Sequence, residues 1–170
     1  PLRSSAASDV YKRQVLVGQF EIPMSVNEEV FSYAYKNGVK TILNPAPANK
    51  PTDILLEHTS WFIPNEVEFE EIYGEVFNED NLLLFANDLK TNVVVTLGEK
   101  GCAYIKNNSV KIMNTDSVKA IDTTGAGDAF VGAFSFGLAS KLEIEECLKL
   151  ALQKATDSVT KKGTQSSYKN

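Results

Sequence analysis

A layered α/β fold with a mostly parallel central sheet is the architecture this 170-residue chain predicts, and three observations predict it. Short apolar, β-branched runs alternate with stretches of helical periodicity, as in chains built from strand–helix–strand units. The run "NVVVTLG" (92–98) is apolar at successive positions and suits a strand buried on both faces of a parallel sheet. The unusual loops, at 21–23, 44–48, 64–68, 96–101 and 122–128, each follow the carboxyl end of an expected strand. Open α/β sheets bind ligands beyond those ends, so the loops are expected to converge on one rim.

The elements follow in order. Val15–Phe20 is a short apolar strand. Ser25 begins a helix, with Glu28 three residues on as its capping box and Gly38 as its stop. "VKTIL" (39–43) is a second strand, ended by the prolines of "NPAPA" (44–48). "SWFIP" (60–64) is a third. "NEVEFEEIYG" (65–74) reads as a helix starting at Asn65 and closing at Gly74. A further helix runs from Asn78 to Lys90, with Leu82, Leu83, Phe85, Ala86 and Leu89 as its apolar positions. After "NVVVTLG", "CAYIKNNSVKIMN" (102–114) reads as a hairpin turning at Asn107–Asn108. "SVKAI" (117–121) reads as a strand end, and two helices follow at roughly 126–139 and 143–160. There is no internal repeat, no low-complexity linker and no second domain. The lone His58 reads as a surface residue and Trp61 as core.

Composition narrows the functional classes. Hydrophobic residues make up 43% and charged residues 23%, which is ordinary for a globular domain. The net charge of -5 argues against nucleic acid or an anionic membrane surface as the main partner. No apolar run approaches the roughly 20 residues needed to span a bilayer. Cys102 and Cys147 form neither a metal-ligand cluster nor a disulfide framework, and read as two reduced thiols of a cytosolic protein. The first stretch, "PLRSSAASDVYKRQ" (1–14), is polar and aperiodic. It is expected to be a leader foreign to the fold, or a disordered end, rather than a transit peptide.

The chemistry concentrates in "DTTGAGDAF" (122–130). Its glycines let backbone approach a ligand closely, and the helix that follows offers unpaired N–H groups and a positive dipole end, so the turn is an anion site. It matches neither of the usual nucleotide fingerprints, G-x-G-x-x-G and G-x-x-x-x-G-K-[ST]. Asp128 is the informative departure. A carboxylate would repel a phosphate, but it suits the removal of a proton from a hydroxyl that attacks phosphorus held by the adjacent amides. A plain helix start, with Asp128 complementing the dipole, is the alternative reading of this motif taken alone.

Here the chain resembles the ribokinase-like (PfkB) carbohydrate kinases. "DTTGAGDAFVGAF" (122–134) is similar to that family's C-terminal signature. In the family's order stand "GQFEIP" (18–23), "NPAPA" (44–48), "PNEVE" (64–68), "TLGEKG" (96–101) and "KGTQSSY" (162–168). The resemblance covers about residues 15–168 and only the C-terminal half or so of the family's usual chain. The expected organisation is therefore residues 15–170 as the C-terminal part of one kinase domain. The family's first strands, lid, early N-x-D element and "GGK"-type loop are not found.

The resemblance implies a role for each matched residue. Asp128 would be the general base on the sugar's primary hydroxyl, with the amides of Gly125, Ala126 and Gly127 as the anion hole. Asn65 and Glu68 would hold the Mg²⁺–phosphate shell through water. Thr96, Leu97, Gly98, Glu99, Lys100 and Gly101 would line the ATP site together with Gly127, Asp128 and Leu152, a leucine where many relatives carry Asn or His. Glu21 would contact the sugar. Asp122, Thr124, Ser158, Lys161, Gly163 and Ser167 would supply the oxygens of a potassium site. The implied activity is phosphorylation of D-ribose to ribose 5-phosphate by a cytoplasmic (or nuclear) homodimer. The alternatives are another sugar or a nucleoside as acceptor, or a non-catalytic nucleotide-binding fragment. This chain alone is expected not to turn over ribose. "NVVVTLG" is expected near an exposed, aggregation-prone edge of the sheet.

Overall fold

The structure is a computed structural model that describes residues 14–164. The leader, apart from Gln14, and Ser167 lie outside the described residues.

Six strands form one sheet in sequential order: β1 (Val15–Gly18), β2 (Lys40–Leu43), β3 (Trp61–Phe62), β4 (Asn92–Thr96), β5 (Cys102–Lys106) and β6 (Ser109–Met113). The first four are parallel, and β4–β5–β6 are antiparallel. Parallel neighbours need crossovers, and helices supply them: α1 (Met24–Lys36), α2 (Asp53–Glu57), then α3 (Glu66–Tyr73) and α4 (Glu79–Leu89). Two longer helices, α5 (Ala126–Ala139) and α6 (Ile144–Val159), close the described chain.

The period-two alternation of each strand divides its side chains between two cores. Ile42, Ile63, Val94 and Cys102 face α5 and α6, where Phe130, Phe134, Leu148 and Leu152 meet them. Leu43, Phe62, Val93 and Val95 face the opposite way, against Phe31, Leu55, Phe69 and Phe85 from α1 to α4. The layers are thus helix, sheet, helix, as the alternation of elements predicts.

Local signals set most boundaries. Asn65 caps α3 and Gly74 ends it in the left-handed region at φ 86°. Asn78 caps α4 through the amide of Asn81. Asn107 and Asn108 take positive φ at the β5–β6 turn, which asparagine tolerates. His58 is half-buried, with Nδ1 2.9 Å from the carbonyl of Ile54, and Trp61 packs edge-on against Phe134 at 5.0 Å.

Four expectations are corrected. The capping box at Ser25 and Glu28 does not form: α1 starts after Pro23, with no side-chain cap, and Glu28 accepts instead from the hydroxyl of Thr52. The short helix α2, capped by Thr52, was not legible as a helix. Residues 117–121 pair with no strand, and Val118 and Ile121 are exposed. Ile121 is instead tied to α6 by the hydrogen bond its backbone N–H donates to the carbonyl of Val159. Finally, "NVVVTLG" is not at the edge, because β4 lies between β3 and β5 with Val93, Val94 and Val95 buried. The apolar edge lies at β1, where Val17 is exposed, beside Ile22, Val26 and Val30 at the start of α1.

Both cysteines are buried and unpaired. Burial pushes the Cys102 thiol from its ordinary 9.0 up to about 12. The folded protein should therefore resist alkylation at pH 8 until it unfolds. It should also lose stability as pH rises from 9.0 towards about 12, because the unfolded thiol ionises over that range while the folded one keeps its proton. Rapid labelling of Cys102 under native conditions, measured by mass, would contradict this account of the core.

Candidate active site

The parallel strands deliver their carboxyl ends to one side, and backbone bonds bind the following loops to each other. The Asn44 amide donates to Gly18, Phe20 to Ala46, Ile63 to Leu43, and Thr96 to Pro64. The rim foreseen from the loop positions is present at 18–20, 44–46, 63–65 and 96. The 122–128 turn reaches it by another route, on the N-terminus of α5 rather than after a strand.

That turn is shaped from both ends. Gly125 caps α5 at φ 80°, in the left-handed region that glycine enters without strain. Asp122 accepts from the amide of Thr124 through Oδ1 (3.0 Å) and from the amide of Gly163 through Oδ2 (3.1 Å). These donors, Thr124 first and Gly163 after it, hold the Asp122 carboxyl below its usual range. They also pin the 122–124 turn to the segment beyond α6. Two regions of the expected potassium set, around Thr124 and Gly163, are therefore brought together. Ser158 is buried and donates its hydroxyl to the carbonyl of Ala155, which leaves its oxygen lone pairs uncommitted by that bond. Among the described residues no cluster of His, Cys, Asp and Glu has metal-site geometry. A potassium site of main-chain and hydroxyl oxygens is of a different kind.

Within the expected anion hole, the amide of Ala126 is turned back towards the carbonyl of Thr123 at 3.3 Å, and the first regular helix bond runs from Ala129 to Gly125. The amides of Gly127 and Asp128 lie between these two bonds, in the part of a helix start whose donors have no carbonyl in reach.

Beside this turn lies a cavity of about 420 Å³, within the range of small-ligand sites. Thr96, Gly98, Glu99 and Gly101 form one wall, and Leu152, Ala155 and Val159 of α6 another. Thr123, Ala126 and Gly127 form its floor, and residues 115–118 with Ala120 close the remaining side. The "SVKAI" segment misread as a strand is therefore a pocket wall. Of the residues expected around a nucleotide, Leu97 does not face this space and is buried in the second core. Lys100 lies outside the lining, 3.9 Å from the carboxylate of Glu66.

Asn65 and Glu68 also stand outside the cavity lining, and each satisfies the other. The Asn65 side chain accepts from the amide of Glu68 and the Glu68 carboxylate accepts from the amide of Asn65, both at 2.8 Å. Burial raises the Glu68 carboxyl, the Asn65 amide draws it back down, and the charge of Glu71 raises it further. Asn65 bridges to Thr96, which joins this cap to the cavity wall.

Asp128 occupies the first turn of α5 and is exposed. Successive helical residues project about 100° apart. Gly127 faces the cavity while Asp128 points towards the β1 loop, where Gln19 donates from Nε2 to its Oδ1 at 3.1 Å. Glu21 stands exposed two residues further along the same loop. The sequence motifs single out Asp128 and Glu21 but not Gln19, although it lies inside "GQFEIP".

Residues 7–170 match the family described as pfkB family carbohydrate kinase, a match that begins within the stretch read as a leader. The chain is 36% identical to a deoxyribokinase of Salmonella typhi, over 96% of this chain and 55% of that protein. It is 38% identical to a ribokinase of Mus musculus, over 96% of this chain and 54% of that protein. Among solved structures, ribokinase of Arabidopsis thaliana complexed with ribose and ATP superimposes with a TM-score of 0.88 at 28% identity, covering 96% of this chain and 55% of that one. Ribokinase of Thermotoga maritima superimposes with a TM-score of 0.83 at 32% identity, covering 94% and 55%. The chain thus spans about half the length of the relatives it matches.

The cavity wall yields a direct test. Gly101 has φ 100°, and a Cβ there would lie 2.0 Å from the carbonyl oxygen of Met113. Gly101→Ala is therefore expected to cost more than about 1 kcal/mol, read as a lower urea midpoint. An unchanged midpoint would mean that the 98–101 loop can move away from β6 without penalty.

Proposed function

The chain belongs to the pfkB family of carbohydrate kinases, and on that premise we propose that its residues serve the ATP-dependent phosphorylation of D-ribose at its terminal hydroxyl, giving ribose 5-phosphate. The observation that carries the reading is the division made by the first turn of α5. Gly127 lines a nucleotide-sized cavity on one side, and Asp128 meets the β1 loop on the other. A phosphoryl donor in the cavity and an acceptor hydroxyl at the β1 loop would meet across this turn.

The apolar wall of Phe130, Leu152, Ala155 and Val159 suits a flat base, and the glycines at 98 and 101 allow close approach to it. The amides at the start of α5 receive the transferred phosphoryl group, where the dipole favours negative charge. Asp128 takes the proton of the attacking hydroxyl, and Glu21 orients the sugar. Phosphoryl transfer asks the protein mainly for positioning and charge stabilisation, which these groups supply.

Magnesium, when bound with the nucleotide, neutralises phosphate charge. Glu68 has one oxygen engaged by Asn65, which leaves the other for a water of the ion's shell. Potassium would sit where the Asp122 carboxylate draws together the turns at 124 and 163. A cytoplasmic or nuclear homodimer belongs to the same proposal.

The Salmonella typhi deoxyribokinase, at 36% identity, favours a second reading in which 2-deoxyribose is the acceptor. Competition between the two sugars in one assay separates these readings, since the better substrate has the larger kcat/KM.

In the full-length protein, Asp128→Asn is expected to lower kcat by about 10²–10⁴-fold with ATP affinity nearly unchanged, because the amide keeps the size but cannot take a proton. Near-normal turnover would remove Asp128 from the role of base. Exchanging a large organic cation for potassium at fixed ionic strength should raise the same activity. Indifference to that exchange would remove the cation from the account.

A further inference from the structure

Among the described residues, Gln19 is the side chain that hydrogen-bonds Asp128 from another element, and the direction of every bond behind it can be deduced. The carbonyl of Ile63 can only accept, so the Asn44 side chain, 2.9 Å from it, must present Nδ2. That fixes Asn44 Oδ1 as an acceptor on its other side. Gln19 lies 2.8 Å from that oxygen and must present its own NH₂ group there. An NH₂ group carries two hydrogens, and the second is directed to Asp128 Oδ1 at 3.1 Å. The main chain of Gln19 is held as well: its carbonyl accepts from Asn27 Nδ2 at 2.8 Å, and Asn27 is 2% exposed. Gly18 makes that approach feasible, since a Cβ there would lie 2.5 Å from the Phe31 ring and 2.9 Å from Asn27 Oδ1.

We propose that Gln19 is a positioning residue for the reaction, fixing the rotation of the Asp128 carboxylate so that Oδ2 faces the acceptor hydroxyl. This rests on the reading of Asp128 as the base. Asp128 is exposed, and an exposed carboxylate with no fixed partner rotates among several orientations, only some of which put an oxygen in line with a hydroxyl. A donor on Oδ1, anchored through Asn44 to the end of β3, selects one of them. The same amide cannot serve as base or acid, and its NH₂ group is committed to Asn44 and Asp128, so the proposed effect passes through Asp128. Gln19 also stands two residues before Glu21, so one rigid loop would set the sugar contact and the base together.

The test is a double-mutant cycle in the full-length kinase, with kcat and the KM for ATP measured for each protein. Gln19→Leu, which keeps the bulk and removes the donor, is expected to lower kcat about 10–100-fold and leave the KM for ATP within about twofold. In an Asp128→Asn background the same change should cause little further loss, because the group it orients has gone. Gln19→Glu keeps the length of the side chain and sets a carboxylate against both Asn44 Oδ1 and Asp128. It should lose at least as much as the leucine variant, and it covers the case in which leucine disturbs folding. An unchanged kcat in Gln19→Glu, or equal losses from Gln19→Leu with and without Asp128, would overturn the proposal. Those outcomes are distinct from failure of the base assignment itself, which Asp128→Asn alone reports.

Discussion

The seating of α5 on the sheet is the constraint on which the rest of the site depends. Phe130 and Phe134 are fully enclosed between the sheet and α6, and Trp61 at the start of β3 closes edge-on against Phe134. Burying two phenylalanines contributes several kcal/mol in area terms, at roughly 1.5–3 kcal/mol for each. The helix cannot slide along the sheet without giving up these contacts. Gly137 fixes the crossing with α6: a Cβ there would lie 2.8 Å from Cys147 Sγ, so the two helices approach as closely as they do only because the side chain is absent. With the axis of α5 fixed, its first turn has one place to be, and that place is the rim where β1, β2 and β3 end.

The rim in turn owes its form to parallel pairing. Four strands in sequential order point the same way, so each crossover returns the chain to the same side before the next loop begins. Gln19, Asn44 and Ile63 each come just after their strand and Thr96 ends its own, and they lie adjacent because their strands do. The buried side chain of Asn44 is bonded on both sides, to Ile63 and to Gln19, which makes it part of the frame. A polar chain of this kind fixes geometry more firmly than an apolar contact, because every member must keep its direction for the others to be satisfied.

Legibility in the sequence tracked how local each signal was. The limits of α3 could be read because Asn65 and Gly74 act within a few residues of themselves. Asp128 could be read because its turn combines glycines, a helix start and an acid in one short stretch. Ser25 and Glu28 have the spacing of a capping box, yet Glu28 is claimed by Thr52, 24 residues away, and Pro23 already sets the entry to α1. "SVKAI" has strand-forming residues, but a strand needs a neighbour and none is offered there, so the segment became a cavity wall. Gln19 lies in a motif, "GQFEIP", but nothing local signalled its partner. Its contact with Asp128 spans 109 residues of sequence and exists only once α5 is seated.

One turn of helix therefore separates two environments that the proposed reaction must keep apart until transfer. The cavity side is walled by apolar groups of α6 and by a glycine loop, with Glu99 and Asp116 also in its lining, and it meets the start of α5 at Ala126 and Gly127. The β1 side offers a carboxylate and an amide held by polar bonds to the sheet. A carboxylate turned to the cavity at the start of α5 would repel phosphates received by the amides there, and one set far from it could not reach an attacking hydroxyl. Placing Asp128 one residue beyond Gly127 resolves the conflict by rotation alone, since about 100° of helix turns the acid away from the phosphate side while keeping it within one turn of the amides.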